Sequence, residues 1–242
     1  MTQIEIRDIR KSYTLDDAVI NAVDGVSMSI QKGYFISIIG HSGSGKTTLL
    51  SLMGGILSPS SGQVFYNGTD IYRLSEDELS EYRAEKIGYI FQFASLLPVL
   101  TAKENLLLPG LFTKKKKSDD KKAEHYLELV GLKDKPNAYP SQLSGGQQRR
   151  VAIARSLMND PEVVLGDEPT GDLDEETEAE VMALFRKINS EMGITFVLVT
   201  HNTELAMAAH TMLRMTHGKL QEIKKPGCSI FNYKGEIKCE KY

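Results

Sequence analysis

Residues Phe35–Thr48 read FISIIGHSGSGKTT, a short apolar run that passes directly into a glycine-rich turn. Phe35–Ile39 is continuously apolar and short, the pattern of a buried strand. Gly40-x-x-x-x-Gly45-Lys46-Thr47 then matches the phosphate-loop pattern, and Thr47–Met53 has helical character. The physical reason for this order is specific. Glycines let successive backbone N–H groups turn inward on an anion, and the helix that follows adds its positive dipole end. Gly40, Ser42, Gly43, Ser44, Gly45, Lys46, Thr47 and Thr48 would form the cradle. Lys46 would reach the β- and γ-phosphates of a nucleotide, and the Thr47 hydroxyl would ligate Mg²⁺.

Working outward, the alternation in Gln3–Ile9 and Val26–Ile30 predicts half-buried strands, and Asn67-Gly68 after Val64–Tyr66 predicts a hairpin turn. Ser75-x-x-Glu78 and Thr101-x-x-Glu104 are capping boxes that open helices. Ala123, Tyr126, Leu127 and Val130 follow an amphipathic helical period, and Ser144 caps a helix with Val151, Ala154 and Met158 on one face. The stretch from about Phe93 to Met158 therefore reads as a helical insertion. Beyond it, Val163–Leu165 and Thr195–Val199 are apolar strands separated by a helix with Val181, Leu184, Phe185 and Ile188 on one face. Strands alternating with helices imply a parallel sheet. A closing hairpin is expected over Met212–Ile223 about His217-Gly218, and a small one over Ser229–Cys239 about Lys234-Gly235.

Chemistry is also legible at strand ends. Val163-Val164-Leu165-Gly166-Asp167-Glu168 closes an apolar strand on two acids, and such residues face the ligand crevice of a parallel sheet. Asp167 would hold Mg²⁺ through water, and Glu168 would polarise an attacking water. His201, after Leu198-Val199-Thr200, and Gln92, after Ile87–Phe91, are ordinary strand-end residues when read alone. Leu143-Ser144-Gly145-Gly146-Gln147 offers a hydroxyl, unblocked glycine amides and a helix start, which together favour an anion. Taken alone it is equally an ordinary helix cap.

Their order decides. GHSGSGKTT, Phe91-Gln92, LSGGQQRR, VVLGDEP, Gly171-Asp172-Leu173-Asp174 and Val199-Thr200-His201 together resemble the nucleotide-binding subunit of an ATP-binding cassette transporter, over about Ile4 to Ile223. The resemblance implies that Tyr13 stacks on adenine, Gln92 contacts Mg²⁺ and senses a membrane partner, and His201 contacts the γ-phosphate. It implies that Ser144, Gly145, Gly146 and Gln147 meet the γ-phosphate held by an opposite subunit, with Asp174 in the loop coupling the two sites. The catalytic set is then Glu168, His201 and Lys46; ATP and Mg²⁺ are the cofactors. The partners are a second copy in a head-to-tail dimer and an integral-membrane permease.

Phe91-Gln92-Phe93, Leu96-Leu97-Pro98, Thr101-Ala102-Lys103-Glu104-Asn105 and DEPTGDLD (167–174) are similar to the lipoprotein-release and macrolide-export ATPases, which implies export or extraction. The cell-division branch, where the same closure signals and nothing is transported, shares these motifs. Gly166 stands where Ala is usual, His41 occupies a variable loop position, and Asn202 replaces a frequent Asp after His201.

The expected fold is α/β, a P-loop NTPase parallel-sheet core with an antiparallel β subdomain and a helical subdomain. One ATPase domain is expected over 1–223, its helical part at about 93–158, with a tail at 224–242. The 242 residues carry a formal charge of −3, which argues against nucleic acid as a partner. The absence of an apolar run near ~18 residues, and of a signal-peptide core, predicts a cytoplasmic protein held at the inner face of the membrane by its permease. Cys228 and Cys239 read as free thiols, and Lys114–Lys117 with Lys121 and Lys122 as a solvated loop.

Overall fold

The computed structural model describes residues 1–242 except 17, 115–118, 172, 208, 224–231, 234–235 and 238–242. The lysines at 115–117, Asp172, Cys228, Cys239 and most of the tail therefore lie outside the described residues. Of the small tail hairpin, the backbone of Asn232–Tyr233 pairs with that of Glu236–Ile237.

The phosphate-loop pattern sits where its flanks demand. Strand β3 (Phe35–Ile39) is buried at all five positions and runs into the loop, after which helix α1 (Lys46–Met53) begins. Before it, β1 (Thr2–Leu15) and β2 (Ala18–Gln31) form a long antiparallel hairpin, and β4 (Ser61–Tyr66) joins β1 from the other side. The Asn67-Gly68 turn returns the chain into the short β5 (Thr69–Asp70), completing an antiparallel sheet in the order β2-β1-β4-β5.

The second sheet holds β3, β6 (Ile87–Ile90), β7 (Val163–Asp167), β8 (Thr195–Thr200), β9 (Thr211–Thr216) and β10 (Lys219–Ile223), in the order β10-β9-β3-β8-β7-β6. All neighbours pair in parallel except β10 with β9. A parallel sheet is covered on both faces, and the side-chain period of two divides its residues between two cores. Val163, Leu165, Val197 and Val199 pack with α1 and the antiparallel sheet. Val164, Phe196 and Leu198 face the helices on the other side.

Those helices are α3 (Ala102–Leu107), α4 (Asp120–Leu129), α5 (Gly145–Leu157) and α6 (Glu175–Met192); α2 (Glu76–Lys86) precedes β6. The capping boxes at Ser75/Glu78 and Thr101/Glu104 form as their spacing predicts. Helix α5 differs from a one-faced expectation: Val151, Ala152, Ile153, Ala154, Leu157 and Met158 are all buried. Its neighbours α3, α4 and β6 surround it, so its apolar surface extends well beyond one stripe. A Cβ at Gly166 would stand 2.5 Å from Leu198 Cδ2, the end of a flexible side chain rather than backbone. Among the described residues, no helix is long and apolar enough to cross a membrane.

Phe185 of α6 is fully buried and packs on Phe196 with ring centroids 5.5 Å apart. Phe185→Ala should cost about 3–5 kcal/mol of unfolding free energy. Urea denaturation measures this, and a loss below about 1 kcal/mol would contradict the packing described.

Candidate functional site

Parallel register sets the site. Ile39 pairs with Thr200, Asp167 with Val199, and Ile90 with Gly166, so β3, β8, β7 and β6 end near one level. The residues that follow are Gly40, His201, Glu168 and Phe91-Gln92. Ser42–Thr48, Gln92, Glu168, Gly171 and His201 line a cavity of about 560 Å³, with Ala22 of β2 closing one side.

The loop is shaped by glycine. Gly43 and Gly45 lie at φ 77° and 103°, and a Cβ at Gly45 would stand 2.0 Å from the Ala22 carbonyl oxygen. The β9–β10 turn braces the loop from outside: the Gly218 amide donates to Ser44 O at 3.1 Å, and Asp24 donates to Gly218 O at 2.9 Å. Helices α2 to α6 each open on a side-chain cap, whereas α1 has none. Its first amides are therefore available to an anion. The Ser44 hydroxyl is buried with no hydrogen-bond partner, a second polar group suited to a ligand in the cradle.

Lys46 is buried, and its Nζ donates to Gly40 O at 2.7 Å and His41 O at 3.1 Å, with Glu168 Oε1 3.8 Å away. Glu168 Oε2 accepts from the His201 amide at 3.1 Å and lies 2.9 Å from its Nδ1. The backbone at Glu168 is left-handed, φ 44°, a conformation costing about 1–2 kcal/mol outside glycine. It is held by Glu168 N–H to Val199 O and Gly171 N–H to Glu168 O, at 2.9 and 3.0 Å. Strain maintained by surrounding structure is common where a side chain must be aimed.

The Thr47 hydroxyl donates to Asp167 Oδ1 at 3.0 Å. Burial pushes the Asp167 carboxyl above the usual carboxylate range, the Glu168 charge adds to this, and the Thr47 hydrogen bond and Lys46 oppose it. A buried carboxylate beside a hydroxyl is a hard-oxygen pair of the kind Mg²⁺ takes. Among the described residues no group of three or more His, Cys, Asp or Glu is arranged to hold a metal ion, so water and phosphate oxygens would have to complete the shell.

Other expected residues stand apart from this cavity. Tyr13 is on β1, two-fifths exposed, with Lys11 Nζ 5.4 Å from its ring centroid. Ser144 and Gln147 form a capping box at the start of α5, with the Gln147 amide donating to Ser144 Oγ at 3.3 Å and Ser144 N–H to Gln147 Oε1 at 3.0 Å. No atom stands within 4 Å of a Cβ at Gly145, whereas one at Gly146 would meet Thr177 Cγ2 at 2.8 Å. Asp174 caps α6 by accepting from the Thr177 amide at 3.0 Å. Asn202 donates to Glu178 Oε2 at 3.2 Å, joining the His201 turn to α6.

Arg149 and Arg155, both on α5, were not singled out by the sequence. Arg149 donates to Phe91 O at 2.8 Å, to Gln92 O and to Gly171 O, and Arg155 to Ala94 O and Ser95 O. A signal exists for Arg149: it lies three and four residues before Ala152 and Ile153, on a buried stripe where an arginine needs a reason.

The loop, the two acids at the end of β7 and the histidine after β8 define a nucleotide-hydrolysing P-loop fold. Residues 23–171 match the family model described as ABC transporter. The chain belongs to this family and is an ATPase of it, binding ATP through the cassette. It is 48% identical over 197 residues to the lipoprotein-releasing system ATP-binding protein LolD of Aquifex aeolicus, covering 81% of this chain and 88% of that one. It is 43% identical over 218 residues to the macrolide export ATP-binding/permease protein MacB of Bdellovibrio bacteriovorus, covering 90% of this chain but only 33% of that protein. A dimeric structure of the ATP-binding cassette MJ0796, in a post-hydrolysis state bound to ADP and Pi, superposes with a TM-score of 0.84 at 36% identity, covering 92% of this chain and 99% of that one.

Gly45→Ala forces a Cβ onto the Ala22 carbonyl and should lower ATP affinity by more than about tenfold. Gly43→Ala meets no atom and should lose only the left-handed backbone preference, about 1–2 kcal/mol. Titration with a fluorescent ATP analogue separates them, and equal losses would refute the steric argument.

Proposed function

We propose that this chain powers a membrane permease by ATP-driven, head-to-tail dimerisation, and that the permease exports or extracts its substrate. The observation that carries the reading is the convergence of Lys46, Thr47, Asp167, Glu168 and His201 around a loop whose helix start is uncapped.

In this reading the amides of Gly43–Thr48 and the Ser44 hydroxyl hold the phosphates. Lys46 leaves its two loop carbonyls for the β- and γ-phosphates, a short movement for a buried ammonium already at the cavity wall. In this reading Tyr13, exposed near the end of β1, stacks on the base. When bound with ATP, Mg²⁺ supplies neutralisation of the phosphate charge, and Thr47, Asp167 and Gln92 are the residues that would hold it. Glu168, held by His201, accepts the proton of a water as its oxygen bonds the γ-phosphorus and the bond to ADP breaks. His201 then faces the γ-phosphate from the same turn.

The start of α5 does not line its own chain's cavity. The amides of Gly145 and Gly146 and the free hydroxyl hydrogen of Ser144 fit the γ-phosphate of a second copy, with Asp174 between the two sites. The dimeric MJ0796 structure, bound to ADP and Pi, supports dimerisation. Glu168 and the histidine turn would then act on an ATP clasped from both sides.

The apolar surface beside Gln92 suits the permease. Phe93, Leu97, Val99, Leu111 and Phe112 are exposed, next to a cavity of about 490 Å³ lined by Arg83, Tyr89, Phe91 and Pro109 among others. Exposed aromatic and aliphatic groups around a groove mark an interaction site, and a cytoplasmic helix of the permease is its occupant here. In this reading the chain works at the cytoplasmic face of the membrane. The LolD and MacB relatives support export or extraction over other uses of the same closure.

Glu168→Gln should bind ATP and dimerise while turnover falls about 100-fold or more; turnover near that of the parent would remove Glu168 from the base role. Ser144→Arg should stop hydrolysis and leave ATP binding by the separate chain within about twofold of the parent. Full activity of a chain held monomeric would end the composite-site reading.

A further inference from the structure

We propose that Arg149 is a positioning residue that ties the wall of a chain's own ATP cavity to the half-site the same chain offers its partner. The inference rests on the composite-site reading for its purpose, but the tie itself lies within one chain.

Three facts carry it. First, Arg149 is buried, 5% exposed, and its guanidinium donates to Phe91 O, Gln92 O and Gly171 O. Gln92 and Gly171 both line the ATP cavity, so the guanidinium grips two separate wall segments from behind. Second, Arg149 is on α5, between one and two turns after the Ser144 cap. A shift of either wall segment is therefore delivered to a rigid helix at a point close to its phosphate-facing start. Third, that start is seated on α6: the Gly146 Cα leaves room for Thr177 Cγ2, and Thr177 is fixed by two hydrogen bonds to Asp174, at 3.0 and 2.8 Å. Gly171 and Asp174 belong to one short connection between Glu168 and α6, so Arg149 and Thr177 bracket it from the two ends.

The residue type matters. Three carbonyls on two segments need a donor with several N–H groups in a fixed plane, which a guanidinium has. An ammonium is a compact charge on a flexible stem, and a carboxamide has only two N–H groups. Burying a guanidinium is costly unless its hydrogen bonds are made, so its use here indicates a geometric task. Arg155 marks the contrast. It holds Ala94 O and Ser95 O, just beyond Gln92, at 2.9 and 2.8 Å, and no bond from it to Glu168 or Gly171 is seen.

The test uses the full chain carrying Arg149→Gln or Arg149→Lys, in parallel with Arg150→Met, whose parent residue pairs with Glu180 outside the site. Hydrogen exchange is followed in dilute, monomeric Glu168→Gln protein with and without Mg-ATP. With Arg149 present, ATP should slow exchange at both Gly40–Thr48 and Leu143–Gln148. In the Arg149→Gln chain the first response should persist and the second should vanish, with partial return for the lysine variant. In otherwise parent protein, Arg149→Gln should lower kcat about tenfold with KM for ATP within about twofold, and Arg150→Met should change neither. The same ATP response at Leu143–Gln148 in both chains overturns the proposal. So does a rise in KM at unchanged kcat, or an equal loss in all three variants. Dimerisation of the Glu168→Gln protein by ATP is scored separately. Its absence ends the composite-site reading, and the exchange result still decides whether Arg149 makes the tie.

Discussion

Parallel pairing among β3, β8, β7 and β6 is the constraint on which this molecule depends. The register brings four strand ends to one level, and Gly40, His201, Glu168 and Gln92 all follow from those ends. A slip of one residue in β7 would turn Asp167 away from Thr47 and exchange the two core faces of the strand. Burial on both sides makes such a slip expensive, because Val163, Val164 and Leu165 are each fully buried in opposite cores. The precision of the site is thus a by-product of a sheet with apolar groups on both faces.

Much of this was legible in the sequence. Phe35–Ile39 could hardly be anything but a buried strand, and Asn67-Gly68 and His217-Gly218 could hardly fail to turn. Capping boxes declared the starts of α2 and α3 because their chemistry is local, confined to four consecutive residues. What escaped reading was non-local. That β9 would pair with β3 depends on partners 175 residues apart, such as Ile36 and Thr211, and nothing in either segment names the other. The bracing of Ser44 by Gly218 is of the same kind.

In the candidate site the same division holds. Lys46, Thr47, Asp167, Glu168, Gln92 and His201 carry their meaning in residue type and order, and the fold gathers them. The left-handed backbone at Glu168 has no sequence signature, since glutamate is an unusual occupant of that region and the surrounding turn enforces it. Arginines on α5 were hidden for a different reason. Their partners are backbone carbonyls far away in sequence, and only the path of the chain after β6 brings those carbonyls to them.

The uncapped start of α1 has a consequence for folding as well as for chemistry. Every other long helix here completes its own first turn with a side chain, so its stability is internal. Helix α1 leaves that completion to a solute. A nucleotide that binds the folded chain alone raises the unfolding free energy by mass action, about 2.7 kcal/mol at a hundred times its dissociation constant. The energy charge of the cell is then also a folding reserve: when nucleotide is scarce, the same protein is both idle and easier to unfold.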